Sequence, residues 1–451
     1  MNVPISETAA REAAGYVLDL PGADGVEVVV AGSTIGMTRY ALSQIIQNTV
    51  KNEVRAYVRV AVGDRAAAAS TNQLDREHMV AAANSALEAA GSSPPDDDFP
   101  GLPDPANVGR AQGVFRWDDA TASRSAAARA EAIGRLLDIT GDDNVAGIYE
   151  TSAHSYSVLS STGIDCHDAF TRCVTTCLVD NGEATGWAEG SSHDVELVDV
   201  EAIAQRSAHK ANSGRGAVDA EPGTYEVVLE PSASAMLLDF LSYTGMGAKS
   251  VIEGESFLST RTGMKVAAEG VTVADDVYDE LSVGLGFDLE GVPKKRVAVI
   301  DDGKATGPVT DLRTARKLGV ELTGHGSGSA EFGPYAANVT LAAGDKSLDE
   351  LIGDVDEGFL VTRFHYVNVL DRPTAYLTGM TRDGIFRICG GAVAEPVHNF
   401  RFAQSALDAL AAVEGIGRDR VAFAPDYGSF GSTVAPPLRI GEFKFASRTS
   451  H

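Results

Sequence analysis

Hydrophobic residues along this chain follow two different spacings, and the changes between them mark out its elements. In residues 5–20 (ISETAAREAAGYVLDL) and 74–91 (LDREHMVAAANSALEAAG) apolar side chains recur at helical spacing among strong helix formers, and a glycine ends the second run. GVEVVVAG (25–32) and EVRAYVRVAVG (53–63) read instead as strands. Together these predict a small amino-terminal α/β layer over residues 1–105. The stretch 92–109, SSPPDDDFPGLPDPANVG, is too dense in proline and aspartate to continue either element and reads as a linker.

A second unit, α+β, is expected over 110–218. It opens on an Ala/Arg-rich helix at 122–140, continues through strands at 146–151, 156–161 and 170–179, and closes on a helix at 198–214. DAEPG at 219–223 marks its end. From 223 to 451 short strand-like runs alternate with Gly, Asp and Asn, and few helices are convincing beyond 231–245 and 402–413. That region is predicted to be a β-rich domain, sandwich-like or barrel-like, which makes the whole chain α+β. Local signals add detail. Ser347 stands where it caps a helix with Asp349 and Glu350 in the first turn, and Arg313 and Arg316 fall on one helical turn. Asp383-Gly384, between strand-like YLTGM and IFRIC, carries the short-hairpin signal.

Composition narrows what such a protein does. The net charge of −26 leaves no basic field for phosphates, so nucleic-acid binding is disfavoured. No apolar run reaches the roughly 20 residues of a membrane helix, and the first residues show no cationic segment before an apolar stretch. A cytoplasmic protein is expected. The four cysteines are too few for a disulfide framework in so long a chain and are expected to be free thiols.

Candidate chemistry is sparse. Cys166, His167, Cys173 and Cys177 include the favoured zinc-ligand types, but no tight knuckle pair occurs. Cys173 and Cys177, four apart in a strand-like run, fit small core residues facing one side. His154, His193 and His209 have no partner at ligand spacing and fit surface or satisfied core positions. His325 stands in the Gly/Ser-rich TGHGSGS, either a flexible turn or a loop lining a cavity. No nucleophile elbow, Walker loop or dinucleotide fingerprint occurs in suitable context. The glycines of SVGLGFDLEGVP lead into strand-like VAVI and not into a helix.

The order of segments in the last third is more specific. Residues 286–326, 338–352, 357–413 and 435–445 (APPLRIGEFKF) closely resemble the carboxy-terminal domain of the TldD/PmbA family, and residues 59–90 resemble its amino-terminal domain more weakly. In that family a TldD-type subunit carries His-Glu-x-x-x-His on a helix early in the carboxy-terminal domain, with a cysteine near the chain end as a further zinc ligand. The corresponding stretch here, VVLEPSASAMLLDFLSYTGMGAKSV (227–251), holds Asp239 but no histidine. Near the end, Ser429 and Ser432 are the residues of similar size to the cysteine. The resemblance therefore implies the PmbA (TldE) type of subunit, with no catalytic residue, cofactor or metal of its own. It implies a heterodimer with a TldD-like, zinc-bearing homologue that cleaves unfolded or leader-type peptides, and possible homodimers of the chain alone. His325, Ser327, Thr378, Thr381 and Arg382 are the candidate cavity-lining residues, with the strands around 378–386 offering an edge to an extended peptide. Two alternatives stand beside this reading: an autonomous metallopeptidase or hydrolase using noncanonical residues, for example Asp239 or His325 and His365, to hold a metal or activate water, and a homodimeric peptide-binding scaffold.

Overall fold

The computed structural model describes residues 3–141, 143–425 and 431–449. Strands β1 (Gly25–Ala41), β2 (Gln44–Val62), β3 (Arg65–Thr71), β4 (Asn144–Ser160), β5 (Asp165–Asp180) and β6 (Thr185–Ser192) form one antiparallel sheet in the order β3-β2-β1-β4-β5-β6. β1 and β4 pair continuously from Glu27–Ser160 to Tyr40–Gly147, so the sheet runs unbroken across the segment read as a linker. The runs 146–151 and 156–161 are parts of the single strand β4.

Alternation along these strands sorts their residues onto two faces. On one face Val26, Val28, Val30, Ala56, Val58 and Val60 are buried under the helices Glu7–Gly15 and Arg76–Ser92. The same face of β4 and β5 offers Val145, Tyr149, Cys173, Cys177 and Val179 to the helices Ala126–Thr140 and Val200–Ser213. Cys173 and Cys177 do face one side as core residues. Cys166 is also buried, Cys389 is exposed, and all four are free thiols.

The carboxy-terminal region resolves the choice between sandwich and barrel. Gly223–Leu229 pairs in parallel with Glu357–Asp371 and antiparallel with Leu438–Arg448. Tyr376–Cys389 pairs with Glu357–Asp371 on one side and Phe400–Ser405 on the other, and Phe400–Ser405 joins Leu438–Arg448, closing the ring. Inside stand Phe359, Phe364, Phe400, Phe402, Phe443 and Phe445, all fully buried, with Phe400 and Phe445 stacked at 4.7 Å and Phe364 and Phe443 at 5.4 Å. A second sheet, built from Lys304–Ala305, Val297–Asp301, Val273–Asp275, Asn338–Leu341, Ser432–Ala435 and Val421–Phe423, lies beside the barrel. The helix Pro231–Leu241 packs on both, and its Ala233, Leu237, Leu238 and Leu241 belong to the core they share.

Two local expectations are corrected. Asp383-Gly384 makes no hairpin: the strand Tyr376–Cys389 runs through it, because Glu357–Asp371 stays paired on both sides, Arg363 with Arg382 and Val361 with Ile385. The pair is a bulge, with φ of 57° and 126°. Its Asp383 is held inside by the guanidinium of Arg363 and by the Thr185 hydroxyl at 2.7 Å, and the chain turns instead at Arg372–Ala375. In the 402–413 run, Phe402–Ser405 completes a strand and only Ala406–Ala411 is helical. Ser347 does cap its helix in a reciprocal capping box with Glu350, and Arg313 and Arg316 share the helix Leu312–Leu318.

Asp168 on β5 ties the two regions together. Its buried carboxylate accepts four backbone N–H groups at 2.8–2.9 Å, from Val114, Phe115, Ala169 and Gly286. Burial raises its pKa, and those four donors oppose the rise. Nearby, Phe170 and Tyr156 pack on Val283, Leu285 and Leu289.

Candidate functional site

The sheet face not covered by helices is polar, and the carboxy-terminal region roofs it without filling it. The pairing register aligns Ile35 with Lys51 and Ser152, Ser33 with Glu53 and His154, Ser152 with Arg172, and Thr176 with Glu189. All of these side chains line one of two adjoining cavities, of about 840 and 1370 Å³, which share Ile35 and His154. Trp187, Ser232, Met236, Phe240, Arg363, His365 and Tyr366 complete the smaller; Arg55, Tyr57, Arg59, Glu290, Arg313 and Ser327 contribute to the larger.

Burial tunes the charges along this face. It pushes the His154 imidazole down to about 3, helped by the charge of Arg172, so the ring is neutral at physiological pH. His154 stacks on Phe170 at 4.7 Å. Burial also lowers Arg172 to about 10 against the pull of Glu150, and raises the Glu150 carboxyl against the pull of Arg172. Arg363 lies 4.0 Å over the Trp187 ring while bonding Asp383. Arg59 bridges Glu27 at 2.9 Å and Glu290 at 3.5 Å, which joins the sheet to its roof.

Of the candidate residues from the sequence, only His325 and Ser327 are brought together, at one small pocket. Ser327 lines the larger cavity. His325 is buried and lines a small pocket of about 70 Å³ that shares Ser327 and Leu289 with the larger cavity, with Nε2 3.0 Å from the Asp275 carboxylate and Nδ1 2.9 Å from the Thr323 hydroxyl. This is a fixed position and not a flexible turn. Burial alone would raise Asp275, but His325 and Lys294 hold it down to about 2. Thr378 donates to the Phe402 carbonyl, Thr381 bonds Asn399 and the Phe400 N–H, and Arg382 lies 3.9 Å from Asp383, all in the barrel wall and outside both cavities. Their strand is paired on both sides and offers little free edge.

The residues of the alternative reading lie in different surroundings. Asp239 bonds the Thr433 hydroxyl, His325 pairs with Asp275, and His365 lies in the smaller cavity beside Tyr366. Among the described residues no three His, Cys, Asp or Glu side chains stand where they could hold a metal ion. His167 bonds Ser157 at 2.7 Å and shares a sheet face with Cys173 and Cys177, but Cys173 is six residues, about 20 Å, further along β5. Ser432 accepts the Val283 N–H at 3.1 Å, and Ser429 lies outside the described residues.

What the sequence reading missed is the polar face itself. Its signal was the alternation of Ile148, Glu150, Ser152, His154 and Tyr156 along β4, where every second residue faces the cavities. A search for motifs does not register a pattern of that kind.

Residues 222–447 match the family model of the PmbA/TldA metallopeptidase C-terminal domain, just over half of the chain. The chain belongs to the TldD/PmbA family. Its curated TldD/PmbA relatives include a metalloprotease of Methanothermobacter thermautotrophicus, 28% identical over 232 residues, which are 51% of each chain. Another is a metalloprotease TldD homolog of Buchnera aphidicola, 28% identical over 205 residues, 45% of this chain and 42% of that one. The chain thus spans about half the length of the curated relatives it matches. The TldE of Thermococcus kodakarensis has the same fold along nearly the whole length, with a TM-score of 0.84 at 20% identity over 98% of this chain and 99% of that one. The matched TldD/PmbA domain is the roof of the cleft, and the sheet beneath it lies outside the match. Among the described residues no helix is long and apolar enough to cross a membrane.

Proposed function

We propose that this chain is the non-catalytic subunit of a TldD/TldE-type, two-chain cytoplasmic metalloprotease, and that its cleft holds an extended stretch of unfolded peptide. The observation that carries the reading is the helix Pro231–Leu241. It stands where the family resemblance places a zinc helix, yet it turns Ser232, Met236 and Phe240 toward the cleft. A hydroxyl, a thioether and a phenyl ring do not make the nitrogen, oxygen or thiolate set that zinc takes. Zinc therefore does not fit this helix, and on this reading the metal with its water belongs to a TldD-like partner.

The cleft suits an extended chain. From β2 to β6 it crosses four strand spacings, about 19 Å, the length of about six extended residues. Ser33, Ser152, Thr176 and Glu189 place hydroxyls and a carboxylate along that path, groups able to bond a peptide backbone without selecting side chains. A roof tied down by Asp168 and Arg59 would exclude a folded domain. This geometry favours low sequence specificity with strong discrimination against folded proteins.

Co-expression with a zinc-bearing homologue tests the reading. The expected outcome is a stable pair with one zinc, cleaving an unfolded peptide only when both chains are present. If the two do not associate, or the zinc-bearing chain cleaves equally well alone, the assignment is wrong.

A further inference from the structure

Along the cleft the basic side chains are held in place by partners, with one exception. Of the lysines and arginines lining the two cavities, Lys51 pairs with Glu53 at 2.7 Å, Arg59 with Glu27 and Glu290, Arg313 with Asp96, and Arg363 with Asp383. Arg172 bonds the Gly431 carbonyl and faces the charge of Glu150. Arg55 lines the larger cavity and has neither an ion pair nor a hydrogen bond among the described residues; its guanidinium carbon lies 5.9 Å from the centre of the Tyr57 ring. The acidic groups of that cavity are committed too, since besides those in ion pairs Asp311 accepts the Thr314 N–H at 2.7 Å. Arg55 is therefore the charged group of the larger cavity that is left for a ligand.

Its position gives that charge a use. Arg55 pairs with Ala31, two residues before Ser33, while Ser152 pairs with Ile35, two residues after it. Arg55 thus lies on the outward extension of the path that runs over Ser33 and Ser152 to Thr176 and Glu189. Past it the floor is β3, the last strand on this side, which contributes Ala66, Ala67 and Ala68 to the lining. The segment Asp96–Pro100 walls that side. Asp96 donates its N–H to the Asp64 carbonyl in the β2–β3 turn at 3.1 Å and pairs its carboxylate with Arg313 on the roof, and Phe99 and Pro100 line the cavity. An extended chain following the path outward therefore passes Arg55 and then meets a wall.

We propose that the larger cavity takes the carboxy-terminal end of a peptide, with Arg55 pairing its terminal carboxylate. The assignment rests on the peptide-holding reading of the cleft and names the peptides it selects, those that end in a free carboxylate. A guanidinium presents parallel N–H donors that match the two oxygens of a carboxylate. A chain end carries that group whatever its sequence, so the contact adds selectivity for a terminus without selecting side chains. Ala66, Ala67 and Ala68 leave room for the last side chain. A run of acidic residues fits less well, because a chain with a net charge of −26 repels it. A single internal Asp or Glu offers the same chemistry as the terminus, and the two sources are separable by experiment.

Fluorescence anisotropy of labelled, unstructured peptides with the purified full chain tests the proposal. One sequence without acidic residues is compared with a free carboxy terminus, with a carboxamide terminus, and as the carboxamide with one internal glutamate. The free acid should bind at least about threefold tighter than the amide, the gain expected of one exposed ion pair. That gap should close in Arg55→Gln and reopen in part in Arg55→Lys, which keeps the charge without the fork. A structural defect in Arg55→Gln would weaken acid and amide alike, so the ratio of the two reads the pairing alone. A glutamate peptide that matches the free acid, again only with Arg55 present, supports the carboxylate site and adds acidic side chains to what it takes. A gain from the glutamate with none from the free terminus overturns the terminal placement. Equal binding of all three peptides by the wild type, or a gap that survives Arg55→Gln, overturns the proposal while leaving the cleft reading standing. Binding of none of them overturns both.

Discussion

The barrel and the six-stranded sheet are built on the same two-residue alternation and use it to opposite ends. In the barrel the ring of strands closes, no edge is left between its members, and the inward positions carry six buried phenylalanines. In the sheet one set of positions is apolar and lies under helices. The other carries Lys51, Glu53, His154, Glu150, Arg172 and Glu189 over open cavities, and part of one edge is unpaired. The barrel is therefore where burial stabilises the fold, and the sheet is where polar groups line cavities.

Substitutions should separate the two regions by size of effect. Phe400→Ala, in the barrel, removes a ring packed against Phe359 at 5.6 Å and Phe445 at 4.7 Å, and should cost about 3–5 kcal/mol in denaturant unfolding. A loss under about 1 kcal/mol would mean that the barrel interior is not close-packed. Asp168→Ala should cost roughly 2–4 kcal/mol, because buried backbone donors of Val114, Phe115 and Gly286 lose their acceptor. A smaller effect would show that the roof is held mainly by apolar contact.

His154 should appear in the pH dependence. Its folded pKa of about 3 lies below the unfolded value of about 6.5, so its contribution is complete above pH 6.5 and is lost as pH falls toward 3. Between pH 6.5 and 5 the wild type should lose about 2 kcal/mol more than His154→Gln. Parallel acid limbs for the two proteins would place that ring in water. The smallest effect is expected at Glu53, an exposed cleft residue paired with Lys51 at 2.7 Å. Glu53→Gln should change stability by less than about 0.5 kcal/mol, and a larger loss would make the open face part of the folding core.

Much of the fold was legible because its elements advertise themselves locally. The helices at 76–92 and 126–140 have strong formers with Asp75 and Ser125 as caps, and both form where the spacing places them. Asp383-Gly384 misled because a left-handed Asp-Gly pair satisfies a bulge as well as a turn, and only pairing with a distant strand distinguishes them. The 402–405 run failed for a related reason: helical spacing there is overridden by an open place in the barrel. The site was less legible. Trp187, Ser232 and Arg363 lie far apart in sequence and meet only through tertiary packing, whereas Thr378 and Thr381, chosen for their segment, are committed to hydrogen bonds in the barrel wall.

The most direct test of the peptide-holding cleft is turnover of an unfolded peptide by the two-chain complex carrying Ser232→Trp or Asp239→Ala in this subunit. Ser232 faces the cleft and bonds Glu189 at 3.1 Å, while Asp239 is bonded to Thr433 and lies outside the lining. The account predicts that Ser232→Trp lowers kcat/KM at least about tenfold with assembly and zinc content unchanged, and that Asp239→Ala stays within about threefold of wild type. Unchanged turnover for Ser232→Trp, or a loss of several orders of magnitude for Asp239→Ala in an intact complex, would contradict it.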